Sequence, residues 1–340
     1  MSEATETPAH PPLLSAILVA PDGPAEVRKT LRHVQAQDVR DRIEVILVTE
    51  EPDRFEELDD EFAELGGLRR VPFQPIERMG PAKAAGIAVA RGGLVVHLED
   101  HAYPRAGWAR ALLDAWREGE WAAVGPAMGN ANPRSGTSWA NLFVGYGRWV
   151  APSWSGEREA LPGHNCAFDK RILMERGDEL GADFDDEWAF FGRLRERGHR
   201  FYLTAEARVD HQNISAFASA ARLRFHHGRL TAADRARSWS LGKRAAHVLA
   251  LPLVPLRRFQ EVWHQVRASG IDGSIRRRLL PSLLALVTVG SLGEGVGYAF
   301  GPGSSPRRKA DLEHDRTRHL NRRDREEAER ERLETAAGRA

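Results

Sequence analysis

GPAKAAGIAVARGGLVVHLEDHAYPRAGW, Gly80 to Trp108, is the stretch from which the fold can be read. Its Ala- and Gly-rich first part predicts a small-residue helix over Pro81 to Arg91. LVVHL, Leu94 to Leu98, then has the length and apolar character of a buried strand. That strand stops at Glu99-Asp100-His101, and a further helix is expected over Arg105 to Glu118. The same alternation extends in both directions. LLSAILVA (Leu13 to Ala20) reads as a first strand, followed by a helix over Ala25 to Ala36. IEVILV (Ile43 to Val48) reads as a second strand, followed by a helix over Phe55 to Leu65. LRRVPF (Leu68 to Phe73) and WAAVGPA (Trp121 to Ala127) complete the set of strands. Apolar strands separated by helices of this length predict an α/β fold, a mostly parallel sheet with helices on both faces. Ligands of such sheets bind at the carboxyl ends of the strands, where Glu99-Asp100-His101 falls.

Beyond Ala127 the alternation gives way to a Gly/Ser/Trp-rich connection, Gly129 to Pro162. Helices are expected over Asp169 to Arg176 and Asp186 to Arg197, then strands at HRFYLTA and ARVDHQ. From Ser215 the chain reads as helical and basic, with a break at Pro252 and Pro255. Residues 217 to 278 hold thirteen Lys or Arg against three Asp or Glu, although the whole chain carries a net charge of only +1. This asymmetry suits an anionic partner. Basic residues alternating with aliphatic ones in LGKRAAHVLALPLVPLRRFQEVWHQV suit an anionic membrane surface; without a recognisable module or interleaved aromatics they do not suit nucleic acid. Leu279 to Phe300 is 22 mostly apolar residues, about 33 Å as a helix. Pro281, four glycines and Glu294 argue for a helix that packs or embeds as readily as one that crosses. The division expected is a disordered N-terminus at 1–12, an α/β domain at 13–230, a membrane-associated helical region at 231–303 and a charged tail at 304–340, either a solvated helix or disordered. The acidic, Pro-rich N-terminus lacks a secretory signal's features. Cys166 is the single cysteine, which excludes an internal disulfide and thiolate clusters and fits a reducing compartment.

Three groups can carry chemistry. Glu99, Asp100 and His101 offer oxygen and imidazole donors to a divalent cation, or equally a solvated, helix-capping turn. Asp186-Glu187 offers a general base, or simply favourable charge at a helix N-terminus. His211, near the end of ARVDHQN, gains meaning only from its neighbours.

The order of these pieces resembles the family 2 glycosyltransferases of GT-A fold, over Leu14 to Gly228. SAILVAPDG stands where that family has its first strand and nucleotide loop, LRHVQAQ its first helix, and EVILVTEEPD its second strand with an acidic turn. The opening stretch looks like the segment leading into the DxD motif, with Pro104 and Trp108 in register. LPGHNCAFDKRIL matches the Gly-x-Asn segment, DEWAFFGRLRERGHR the acidic helix, and RVDHQ supplies the downstream histidine.

The sequence departs from the pattern at three points. Glu99-Asp100-His101 replaces Asp-x-Asp, Thr49-Glu50 replaces paired aspartates, and Asp186-Glu187 inverts the customary order. The resemblance implies transfer of a sugar from a nucleotide-diphospho-sugar to an acceptor hydroxyl with inversion, in cell-surface glycan or polysaccharide synthesis. Glu187 would be the base, with Asp186 the alternative. Ala20, Pro21, Glu50, Lys83, Glu99 and Asp100 would face the nucleotide-sugar, and His164 and Asn165 would line the acceptor side or steady the loop. Glu99, His101 and His211 would hold Mn²⁺ or Mg²⁺. The acceptor would be a glycan, a lipid-linked sugar or another hydroxyl, at the cytoplasmic, inner face of the cell membrane. The rival is a catalytically inactive GT-A-like protein that binds a sugar nucleotide or a partner. A dinucleotide-dependent oxidoreductase is disfavoured because no Gly-x-Gly-x-x-Gly follows the first strand.

Overall fold

The computed structural model describes residues 11–152, 154–313 and 316–337, with side chains as far as 331. The expected disordered segment 1–12 lies almost wholly outside them. The strands are β1 (Leu14–Val19), β2 (Ile43–Thr49), β3 (Gly67–Pro72), β4 (Leu94–His97), β5 (Ala102–Pro104), β6 (Ala123–Asn130), β7 (Gly156–Arg158), β8 (Ala167–Asp169) and β9 (Phe201–His211). The helices in the first half are α1 (Pro24–Gln35), α2 (Leu58–Glu61), α3 (Met79–Val89), α4 (Trp108–Arg117), α5 (Gly136–Tyr146), α6 (Lys170–Met174) and α7 (Leu180–Asp185). Those in the second half are α8 (Glu187–Glu196), α9 (Phe217–Arg235), α10 (Leu241–Leu249), α11 (Val254–Ala268), α12 (Gly273–Phe300), α13 (Ser305–Glu313) and α14 (Arg322–Ala337).

Two compact units emerge, residues up to 129 with 151–210, and residues 130–150 with the chain from 211 onward. The boundary expected at 230 therefore falls at 210. Residues 130–150 join the helical unit because Ala140, Leu142 and Phe143 of α5 share a core with Leu223 of α9 and Leu283 and Leu286 of α12.

The first unit is built on a sheet of order β3-β2-β1-β4-β8-β6-β9-β5, with β7 beside β9. β1 pairs in parallel with both β2 and β4, Leu14 lying opposite Ile43 and Leu94. Every residue of β1, β2 and β4 is buried, the physical reason these strands read as unbroken apolar runs. Two of the polar exceptions, Ser15 and Glu44, satisfy each other. Ser15 donates to Glu44 Oε1, and Arg91 Nε lies 2.9 Å from Glu44 Oε2. Burial alone would raise the Glu44 pKa, but the hydrogen bonds from Ser15 and Arg91 outweigh it and hold the carboxyl below its ordinary range. β3, at the edge, carries Arg69 and Arg70 and is only half-buried. The helix expected over 55–65 reduces to the single turn α2 and a 3₁₀ turn before it.

β8 inserts between β4 and β6 and runs antiparallel to both, with Val96 opposite Ala167 and Ala123 opposite Phe168. The two strands expected at HRFYLTA and ARVDHQ form one, β9, whose alternating burial marks a single half-covered strand. Phe168 of β8 stacks within 5.7 Å of Phe184, Phe190 and Phe191. This aromatic cluster seats α7 and α8 on the sheet.

The second unit is helical. α12 is continuous through Pro281 and by length and composition could cross a membrane. Within the unit it packs on α9 through glycines: a Cβ on Gly293 would lie 2.1 Å from Phe225 O, and one on Gly228 2.1 Å from Gly290 O. Side-chain-free positions are what lets the two backbones approach this closely. Glu294 of α12 pairs with Arg258 of α11. The charged tail, expected as a solvated helix or as disordered chain, forms the helices α13 and α14, and Leu312, Leu320 and Asp324 within it are buried rather than solvated.

Candidate active site

The carboxyl ends of β1, β2 and β4 place the residues singled out in the sequence. Ala20 N donates to Val48 O at 2.8 Å, holding the β1 and β2 ends together, with Ala20 buried and Pro21 partly exposed. Glu50 follows β2, where its Oε1 accepts from Ile76 N at 2.7 Å.

Glu99, Asp100 and His101 form the turn from β4 into β5. Asp100 Oδ1 lies 2.6 Å from His101 Nδ1, which orients the ring, and His101 Nε2 stands 3.7 Å from Glu99 Oε1. Asn165 Nδ2 donates to Glu99 Oε2 at 2.8 Å, and Asn165 Oδ1 accepts from Glu99 N at 3.2 Å. A carboxylate oxygen and an imidazole nitrogen, each oriented through its other atom, form a donor pair suited to Mn²⁺. His211, the last residue of β9, has its Nδ1 at 3.0 Å from Asn213 Oδ1. The residue before it, Asp210, is held by both Arg105 Nε and Nη2, at 2.7 and 2.9 Å.

The loop before β8 explains its own sequence. A Cβ on Gly163 would lie 2.0 Å from Glu187 Oε2, so only glycine lets the loop close on that carboxylate. Asn165 is the one non-glycine among the described residues with positive φ, 79°, a conformation asparagine tolerates better than most residues. Its N–H donates to His97 O at 2.7 Å. Asn165 therefore clasps Glu99, while His164, half-exposed, meets Glu187 with Nδ1 3.3 Å from Oε1.

Asp186 and Glu187 separate cleanly. Asp186 caps α8, its Oδ1 accepting from Ala189 N at 3.1 Å, which is an ordinary N-cap. Glu187 faces inward and receives the Lys83 ammonium at 2.9 Å. Lys83 is fully buried in α3 and not on the surface. His97, Glu187 and His164 form a cluster that could hold a metal ion, but the Lys83 ammonium already occupies its carboxylate. His97 is the residue that sequence reasoning passed over; the signal was a polar residue inside LVVHL. Its Nδ1 has no partner, and burial, reinforced by Lys83, drives its pKa well below the usual imidazole value, so the ring stays neutral. Burial likewise, with the Glu187 charge adding to it, pushes the Cys166 thiol well above its usual range, which removes it as a nucleophile.

A family model for glycosyl transferase family 2 matches residues 15–177. The matched stretch, just under half of the chain, is similar to that family. The mannosyltransferase PcManGT from Pyrobaculum calidifontis, in complex with GDP-Man and Mn²⁺, shares this GT-A fold. The likeness has 16% identity and a TM-score of 0.53, over 84% of this chain and 88% of that one. GalNAc-T7 with UDP, GalNAc and Mn²⁺ matches at 13% identity and TM-score 0.45, over 59% of this chain and 43% of that one. S. aureus TarS matches at 11% identity and TM-score 0.45, over 86% of this chain and 55% of that one. The chain thus spans about half the length of the latter two. No curated protein matches it.

Proposed function

We propose that this glycosyltransferase moves a sugar from a nucleoside-diphosphate donor to an acceptor hydroxyl by single displacement, with inversion. One observation carries the reading. The loop Gly163–Asn165 touches Glu99 at one end and Glu187 at the other, joining a cation-binding carboxylate to a candidate base. Glu99 and His101 would hold the divalent cation, which when bound neutralises charge on the departing diphosphate. The Mn²⁺ in the Pyrobaculum enzyme's complex supports that choice of ion. Asn165 and Asp100 keep the ligand atoms of Glu99 and His101 facing one another. Ala20, Pro21 and Glu50 border the nucleotide, and Glu187 takes the acceptor proton. To act, Glu187 must exchange its Lys83 partner for the acceptor hydroxyl. That contact is also the observation favouring the rival, a non-catalytic sugar-nucleotide binder.

The acceptor lies at a membrane in this reading, on the cytoplasmic side, and the product is a cell-surface glycan or polysaccharide. The support is the exposed leucines 241, 249, 253 and 256 along α10, α11 and the 3₁₀ turn between them, interspersed with Lys243, Arg244 and Arg257, a composition suited to anionic headgroups. A panel of sugar nucleotides with and without Mn²⁺, read by thermal shift and then by product formation, tests the whole. A donor that raises stability only with metal and is turned over on an acceptor supports transfer. Binding without turnover selects the rival, and no stabilisation by any donor sinks both.

A further inference from the structure

α12 is long and apolar enough to cross a membrane, but the helix packed against it decides where it lies. Its glycines meet the backbone of α9: a Cβ on Gly293 would lie 2.1 Å from Phe225 O, and one on Gly297 2.3 Å from Arg229 O. Along that stretch α9 carries Arg222, Arg224, His226, His227 and Arg229. A bilayer crossed by α12 would have to take these side chains into hydrocarbon or strip α9 away, and cations there are costly. Glu294 of α12 is buried against Arg258 of α11, and Leu279, Leu283, Leu286 and Val287 fill the core shared with α5. α12 is thus the central helix of its own unit.

α10 and the 3₁₀ turn Leu251–Leu253 have the opposite character. No residue of either is buried. Gly242, Ala245, Ala246 and Leu249 recur at helical spacing on the exposed side of α10, and Leu253 and Leu256 continue the exposure beyond it. Leu249 is 81% exposed and Leu253 70%. The side turned to the protein carries polar groups instead. His247 lies 5.2 Å from the Tyr298 ring of α12, and Arg244 Nη2 donates to Ala236 O at 2.7 Å. Leu251 seats the turn, since a Cβ on Gly295 of α12 would lie 2.5 Å from its Cδ2. A helix on a water-soluble surface turns its apolar stripe to the core. Here the stripe faces outward, which suits an apolar medium outside the protein.

We infer that α10, the 3₁₀ turn and the start of α11 form a one-sided anchor that enters the headgroup boundary of an anionic bilayer, while α12 stays within its unit and does not cross. The inference rests on the membrane placement proposed above and specifies how it is made. Lys243 and Arg257, both exposed beside the leucines, complement anionic lipid. Thirteen Lys or Arg against three Asp or Glu between 217 and 278 would repel a second copy of the chain from the same surface.

The full chain is floated with phosphatidylcholine vesicles made with and without phosphatidylglycerol, at low and high salt. Wild type should bind the anionic vesicles, less as salt rises. Leu249→Ser with Leu253→Ser should weaken binding on the order of 10-fold or more, and Arg257→Gln about fivefold; these positions are exposed, so unfolding should be unchanged. A second arm places a cysteine at Ser274 or Ser304, exposed residues that bracket α12, and treats vesicle-bound protein with an impermeant maleimide; the native Cys166 is buried. Both ends should react on intact vesicles. An end that reacts only after detergent shows a span and overturns the inference. Equal binding by wild type and the double leucine variant also overturns it and leaves the membrane placement standing. No binding to either vesicle sinks both, and a wild-type dimer lost in that variant would then make a second copy the occupant. Neither result touches sugar transfer, which the donor panel judges separately.

Discussion

The two units each bury a polar cluster, and the clusters are built from opposite materials. In the sheet unit, Lys83, Glu187 and His164 meet as charged and titratable groups around the neutral His97. In the helical unit, Asn130, Asn132 and Asn213 meet as uncharged amides that hydrogen-bond to one another. An ion pair can trade one partner for a ligand of like charge, because its energy depends little on direction. An amide network cannot, since each donor needs an acceptor at a set angle. The charged cluster thus suits a residue that must change partners during a reaction, the neutral one a residue that must keep its orientation.

The sharpest way to break this contrast is at Glu187. Glu187→Gln keeps size and hydrogen bonding but cannot take a proton, so single-turnover transfer should fall on the order of 10²- to 10⁴-fold with donor affinity unchanged. Full rate in this variant would show that the charged cluster is structural.

Next in size are the histidines. His101→Ala and His211→Ala should each weaken Mn²⁺-dependent nucleotide binding by at least about 10-fold, measured by calorimetry at fixed donor. In wild type that binding should fail at acid pH, because a ligating imidazole must be neutral. Loss in one variant and not the other would leave only that histidine among the ligands.

A smaller effect is expected at Glu44, the other buried charge of the sheet unit. Its carboxyl titrates below the ordinary range in the folded chain, so its stabilisation is fully present above that range and disappears as pH falls through the depressed value. Glu44→Gln should lower stability near neutrality by about 1 to 3 kcal/mol and flatten the acid limb of a urea-unfolding series against pH. Parallel acid limbs in wild type and variant would contradict this.

Smallest is Asp186→Asn, which retains an N-cap acceptor. It should cost about 1 kcal/mol or less in thermal unfolding and leave transfer intact. Abolished transfer would move the base from Glu187 to Asp186 and dissolve the division of roles between them.

Much of the sheet and the ends of its strands is legible in the chain itself. β1, β2 and β4 are buried on both faces, and burial on both faces is what writes an unbroken apolar run. The same run shows where each strand stops, hence where Glu50 and Glu99 stand. The α8 start is legible because a cap needs a short acceptor side chain before the first turn. What remained hidden are the pairings across distance. Asn165 meets Glu99 from 66 residues away because β8 inserts antiparallel beside β4, and Asp324 meets Asn132 from 192 residues away. Lys83 sits in a helix of alanine and glycine that by itself does not say which face is covered; α7 and the Phe184 ring decide it. Periodicity records which side of an element avoids water. It carries no record of which distant polar atom a buried side chain will find there, and only the packed chain settles that, because leaving a buried donor or acceptor unmet is costly and packing selects against it.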